Sequence, residues 1–197
     1  MTAHQNTATS ERAHGSQPLL VQHGPVIQEY ATLRLLPIAL SHQARLLSCQ
    51  LLNQILADTM ILYSLYKKHH WQMRGPTFQQ LHLLLDKHAG EQLDLIDALA
   101  ERVQMLGGVA IADPRHVAEV TTIERAPDGI EEVGTMLARL LSAHETIITA
   151  VRTASERTAQ NGDGGSNDLL IGEVLRTHEQ QIWGVAEHLV DTPHLRA

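Results

Sequence analysis

The sequence predicts an all-α fold: a bundle of four long helices, with a short helix in the long connection between the second and third. Three observations carry that expectation. Apolar residues recur with helical spacing over four stretches of 23 residues or more. No stretch alternates with the two-residue period of a strand. Hydrophobic residues make up 43% of the chain but aromatic residues only 3%, which suits an aliphatic core between helices.

Residues 1–25 read as a flexible tail, because MTAHQNTATSERAHGSQPLL is polar, rich in small residues and aperiodic. The first helix begins after Pro37, holds Leu47, Leu51, Ile55, Leu62 and Leu65 in register, and meets no Gly or Pro before Gly75. Gly75-Pro76 is a stop and restart. The second helix, Thr77 to Met105, turns Leu84, Leu95, Leu99 and Val103 inward and ends at Gly107-Gly108. Residues 109–128 form a connection that is long for an antiparallel bundle, with Pro114, Pro127 and a short helical stretch at HVAEV. The third helix, Gly129 to Arg157, places Ile130, Val133, Leu137, Leu141, Ile148 and Val151 on one side. After the loop NGDGGSN, a fourth helix, Asp168 to Val190, buries Ile171, Val174, Ile182, Val185 and Leu189. Residues 26–191 thus make one bundle domain, and 192–197 a short C-terminal tail.

Composition excludes several classes of function. A formal net charge of −7 opposes diffuse attraction to DNA or to an anionic membrane. The tail adds little, since Arg12 is its one fixed positive charge and Glu11 balances it. No apolar run approaches the ~20 residues that cross a bilayer, and no basic segment followed by an apolar core opens the chain. Cys49 is the single cysteine, so no internal disulfide forms and a reducing cytoplasm is the expected location. Thirteen histidines are an excess that a metal-handling function would explain.

The residues that could supply such a function lie between Lys68 and Gly108. His70, His82, Asp86, Asp97 and Glu101 are two imidazoles and three carboxylates, donor types that ligate divalent metals. His82/Asp86 and Asp97/Glu101 are i, i+4 pairs, and at ~100° per residue the four positions fall at about 0°, 40°, 60° and 100°, one stripe of one helix. No Lys or Arg shares the stripe closely enough to neutralise it. Asp86 and Asp97 are eleven residues apart, about 16 Å along the axis, whereas ligand bonds of ~2.0–2.2 Å require convergence. One chain therefore cannot bring both pairs to one ion, but two copies packed antiparallel across a two-fold axis could do so twice. The bland alternative is a solvated polar stripe with incidental i, i+4 pairs.

Other polar residues read differently. Glu-x-x-His, an inward metal-binding pattern of some bundles, occurs only as Glu11/His14, so a centre inside one chain is not expected. His144 and His178 fall in the apolar register of their helices and read as core histidines satisfied by hydrogen bonds. His69 and His88 lie off the stripe and are expected on the surface, while Trp71 reads as a packing residue.

The run His70-Trp71-Gln72-Met73-Arg74-Gly75, followed by Phe78, Leu81-His82, Asp86, Asp97 and Ala100-Glu101-Arg102, resembles the signature of the Dps family. These are the DNA-protection proteins of starved cells, also called mini-ferritins. The resemblance runs from about Leu51 through the fourth helix, including His178-Glu179 and Trp183, about three quarters of the chain. Gln72 departs from the family's usual Asn, and the tail lacks the Lys-rich character of DNA-binding members. The resemblance implies a ferritin-like four-helix bundle and a hollow homododecamer built from two-fold dimers. It further implies a ferroxidase centre at each dimer interface, with His70, His82 and Asp86 from one subunit and Asp97 and Glu101 from its partner. There Fe(II) is oxidised by hydrogen peroxide, or more slowly by dioxygen, and ferric mineral is stored in the cage. Zn(II) would take the same donors. DNA binding is expected to be weak or absent. The family's acidic cation pores would draw on Asp163, Asp168 and Glu173, for which the alternative is an acidic loop with Asp168 as a helix N-cap.

Overall fold

The computed structural model describes residues 22–191, and the chain folds into the all-α ferritin-like bundle that the sequence predicts. Residues 1–21 and 192–197, most of the two expected tails and the Glu11/His14 pair with them, lie outside the described residues. The order is α1 (His42–Gln72), α2 (Phe78–Met105), a short α3 (Pro114–Val120), α4 (Val133–Gln160), α5 (Gly164–Leu169) and α6 (Arg176–Ala186). A single π-helical stretch, Leu170–Leu175, joins α5 to α6 into one rod, which closes in a 3₁₀ turn at Glu187–Leu189.

The helix ends follow from local chemistry. Ser41 caps α1, its hydroxyl accepting from the Ala44 N–H at 3.1 Å. Helix α1 thus starts five residues after Pro37, because residues 26–40 are spent as an irregular strap on the end of α2. The Arg34 N–H and the Gln28 side chain both donate to the Gly107 carbonyl at 2.9 Å. Gly107 ends α2 with φ +83°, and the Gly108 N–H reaches back to the Val103 carbonyl at 3.0 Å. A Cβ at Gly107 would stand 2.7 Å from the Arg34 carbonyl oxygen, so only glycine fits between strap and helix.

The core is one contiguous aliphatic cluster. Leu52, Ile55, Leu56 and Leu62 of α1 meet Leu81, Leu85, Leu99 and Val103 of α2, Leu137, Leu140, Ile147 and Val151 of α4, and Val174 and Val185 of the last rod. Several expected core positions face out: Ile130 precedes α4, and Ile171 and Leu189 are also exposed. The extra residue of the π stretch shifts the register of this rod, which is why a uniform 3.6-residue reading misplaces Ile171. The long connection is tied to α1 by buried polar side chains. Asp58 accepts from Thr121 Oγ1 and the Thr122 N–H at 2.7 Å, and Asn53 brackets Val109 and Ile111.

A polar layer crosses this apolar interior. Tyr66, His88, His144 and His178 lie side by side at 0–3% exposure. The Tyr66 hydroxyl is 2.6 Å from His144 Nε2 and 3.2 Å from His88 Nδ1, and His144 Nδ1 is 2.9 Å from His178 Nδ1. His144 is thus the hydrogen-bonded core histidine expected from the sequence, whereas His178 leaves Nε2 without a partner. His69 and His88 correct the surface expectation, since both are buried, and neither ring nitrogen of His69 has a partner. The stripe reading placed them off one face of one helix; in the bundle, that other face is covered by neighbouring helices.

Burial pushes His69, His88 and His178 down to about 4, and His144 well below its ordinary value. Below about pH 6.5 the unfolded chain binds protons at these rings that the folded chain refuses, so stability is full above that pH and falls as the pH drops toward 4. Each of the three contributes roughly 2–3 kcal/mol across that window. Thermal melts between pH 7.5 and 4 should show a steep loss over this range, and a His144→Gln/His178→Gln double variant should flatten it.

Candidate metal centre

Helices α1 and α2 run antiparallel through the tight turn at Gly75, whose φ of +86° suits glycine. That reversal brings the last turn of α1 beside the first two turns of α2. His70 and His82 therefore meet, ring on ring, with centroids 3.8 Å apart and planes 17° from parallel. Phe78 also stacks on His82, with centroids 5.0 Å apart.

The two imidazoles fix each other's protons. His70 Nδ1 lies 2.8 Å from the His82 carbonyl, and His82 Nδ1 lies 3.0 Å from the His70 carbonyl. A carbonyl oxygen can only accept, so each Nδ1 carries the hydrogen and each neutral ring keeps its Nε2 lone pair free. That is the tautomer a metal ligand needs, held by backbone groups that cannot rotate away.

Asp86 stands one turn beyond His82, exposed, with its Oδ1 3.9 Å from His70 Nε2. The expectation that no cation neutralises the stripe is corrected here: Lys67 of α1 reaches across and places Nζ 2.6 Å from Asp86 Oδ1. Helix periodicity counts only neighbours on one helix, and Lys67 comes from the other. Its hydrogen bond holds the Asp86 carboxyl below the usual range, with weaker help from the two nearby imidazoles.

Asp97 and Glu101 occupy later turns of α2, and both side chains are exposed. They share the α2 face with Asp86 but stand away from it along the helix. Among the described residues, no three His, Cys, Asp or Glu of a single chain converge on one position suited to a metal. The structure thus brings His70 and His82 into contact and sets Asp86 beside His70 without the three converging on one point, and it leaves Asp97 and Glu101 further along α2. Trp71, expected to pack inside, is 72% exposed next to His70, and Phe78 and Leu83 flank the same patch at 41% and 57%. Apolar side chains of that size, exposed together around donor groups, mark a face suited to burial.

The acidic residues considered for a pore separate in the same way. Asp163 is buried, caps α5 by accepting from the Ser166 N–H at 3.1 Å, and pairs with Arg102. It is therefore a structural anchor rather than a pore lining, and the N-cap is Asp163, not Asp168. Asp168 and Glu173 are exposed. Sequence reasoning missed Tyr66, which joins α2 and α4 through its hydroxyl. The available signal was Tyr66 falling one turn before His70 on a helix otherwise lined by leucine and isoleucine.

The chain is similar to known proteins over most of its length. The ferritin-like domain family matches residues 49–195. The solved structure of DpsC from Streptomyces coelicolor is 64% identical, covers 87% of this chain and 100% of its own, and superposes with a TM-score of 0.86. A Kitasatospora aureofaciens protein described as "Uncharacterized protein in bpoA2 5'region" is 66% identical over 148 residues, 75% of this chain and 99% of its own length. The nutrient stress-induced DNA-binding protein of Synechococcus is 35% identical over 67% of this chain and 75% of its own.

Asp86 is open to solvent, so breaking its pair with Lys67 should cost little stability. A cation entering the half-site must displace Lys67 from Asp86. Lys67→Met should therefore leave the melting temperature nearly unchanged while strengthening Zn(II) binding, both measurable by calorimetry; weaker binding would show that Lys67 orients Asp86 instead.

Proposed function

Because the chain belongs to the ferritin-like domain family, and within it to the Dps proteins, we propose that it is a ferroxidase that takes up Fe(II), oxidises it at inter-subunit centres and stores the ferric product. The observation that carries this reading is the paired imidazoles. His70 and His82 present two bare Nε2 lone pairs beside Asp86, preset by mutual backbone hydrogen bonds, on a face where Trp71 and Phe78 lie open. The chain's own spacing supplies the rest of the proposal. About 16 Å of helix separates Asp86 from Asp97, so Asp97 and Glu101 of a two-fold partner complete the ligand set, twice per dimer.

The donor set suits the chemistry. Imidazole and carboxylate together accept Fe(II), and the carboxylates gain weight when the ion becomes Fe(III), a harder acid. Iron here is substrate and cargo. Hydrogen peroxide is the proposed oxidant, with dioxygen slower, and consuming Fe(II) and peroxide together suppresses hydroxyl-radical formation. A homododecamer with a hollow interior is the proposed assembly, as the family resemblance implies. Zn(II) binds the same donors and would compete with Fe(II). Among the described residues no helix is long and apolar enough to cross a membrane. A net charge of −7 opposes phosphate-driven DNA binding, which a gel shift at low salt would reveal first.

The test uses both halves of the centre. Asp97→Asn/Glu101→Gln should abolish fast peroxide-driven Fe(II) oxidation in stopped flow, and so should His82→Leu/Asp86→Asn. Co-assembling the two inactive variants should restore roughly a quarter of the centres, because each mixed dimer rebuilds one complete site. No recovery in verified mixed dimers, or full activity in either variant alone, would sink the inter-subunit assignment.

A further inference from the structure

Four residues in the middle of the bundle have no part in the proposed iron chemistry, and each comes from a different helix. Tyr66 of α1, His88 of α2, His144 of α4 and His178 of α6 are 0–3% exposed. Helical bundles build internal ligand sites in this way, from side chains that facing helices direct at one place. Here the place of convergence is the Tyr66 hydroxyl, with His144 Nε2 at 2.6 Å and His88 Nδ1 at 3.2 Å. Behind them, His144 Nδ1 lies 2.9 Å from His178 Nδ1.

As a purely structural network the layer is incomplete. Its hydrogen bonds can run from Tyr66 through His144 to His178 or in the opposite direction, and in neither is His178 Nε2 satisfied. Three buried imidazoles, one of them with an orphaned nitrogen, destabilise a core that leucine would fill. What the layer does offer is three donor atoms around one point: a phenol oxygen and two ring nitrogens, supplied by three helices.

We propose that Tyr66, His88 and His144 form a second metal site, inside a single chain, that takes a borderline divalent ion, Zn(II) or Cu(II), with His178 orienting His144 from behind. The site is independent of the ferroxidase reading and of the interface between subunits. Two of its three donors are imidazoles, which suit Zn(II) and Cu(II) and set it apart from the carboxylate-rich interface set. Both rings are already neutral at pH 7, because burial lowers their affinity for protons, so neither has to lose one to bind. The ion replaces the phenolic hydrogen: the Tyr66 O–H bond breaks, a metal–oxygen bond forms, and the proton passes to solvent. His144 binds through Nε2 and keeps its hydrogen on Nδ1, donated to His178, the outer contact that fixes the ring of a metal-bound histidine. His88 binds through Nδ1 and carries its hydrogen on Nε2, the edge that faces Gly184. Bonds of ~2.0–2.1 Å to a tetrahedral ion set donors ~3.3 Å apart. The Tyr66–His88 separation of 3.2 Å already matches, and the 2.6 Å Tyr66–His144 contact opens by about 0.7 Å. Ion and phenolate together leave one positive charge, which the carboxylate of Glu91, close enough to act on Tyr66, partly offsets.

The test titrates the assembled protein with Cu(II), and separately with Zn(II), after the interface centre has been disabled by His82→Leu/Asp86→Asn. One tight ion per chain is expected, accompanied for Cu(II) by a phenolate-to-metal charge-transfer band that histidines elsewhere in the chain cannot produce. Tyr66→Phe, which keeps the ring packing, should lose both, while Tyr30→Phe and Tyr63→Phe keep both. His178→Leu leaves the three donors in place and should weaken binding roughly 10–100-fold. Anomalous scattering from crystals of the unmutated protein grown with Zn(II) gives a measurement that needs no variant to fold, and should place an ion between Tyr66, His88 and His144. No ion at that position, or unchanged tight binding in folded Tyr66→Phe with no charge-transfer band in any form, would overturn the site.

Discussion

A straight α-helix advances about 1.5 Å per residue, and that rise governs what this chain can do with its carboxylates. Asp86 and Asp97 point from one face of α2, yet they stand about 16 Å apart and cannot share an ion within one chain. Everything around them is consistent with a face that is finished elsewhere. Asp97 and Glu101 are exposed, Trp71 is open to solvent beside a candidate ligand, and within one chain only His70 and His82 touch, with Asp86 3.9 Å from His70. The same helix that makes an intrachain centre impossible makes a two-fold one simple, because reversing α2 against itself matches the early pair with the late pair.

Preparation of the half-site is achieved with backbone rather than with charged neighbours. The His70 and His82 carbonyls each accept the other's Nδ1–H, which sets tautomer and ring orientation in one step. The His70 carbonyl lies in the last turn of α1, where helical bonding leaves carbonyls free, whereas the His82 carbonyl, inside α2, accepts the imidazole on its second lone pair. Lys67 meanwhile holds Asp86 with the charge a metal would otherwise bring. The arrangement keeps two ligands rigid and one carboxylate occupied but releasable.

The interior of the bundle combines two opposed demands. Its leucines and isoleucines supply the non-directional stabilisation of folding. Across them runs the layer of Tyr66, His88, His144 and His178, and below it Gln92 and Gln181, which hydrogen-bond at 2.9 Å. Buried polar groups are tolerated when satisfied, but here His178 Nε2, Gln92 Oε1 and both nitrogens of His69 are not. A layer that costs stability and titrates below neutrality is not what packing alone would select.

Sequence alone determined the helices, their order and the stripe of donors, because periodicity and helix-ending residues are local properties that neighbouring helices do not override. It also located His144 and His178 in the core, since both fall in apolar register. It misjudged residues whose environment comes from another element. His69 and His88 were placed on the surface, although α1 and α2 turn them into the bundle. Trp71 was placed inside, although no described part of the chain covers it. Lys67 was not counted beside Asp86, because the two meet only once α1 folds back on α2. The π stretch at Leu170–Leu175 moved Ile171 outward without any residue type announcing it. Tertiary structure decided these points because burial and hydrogen bonding depend on which helix faces which, and one helix's sequence records its own faces but not its neighbours.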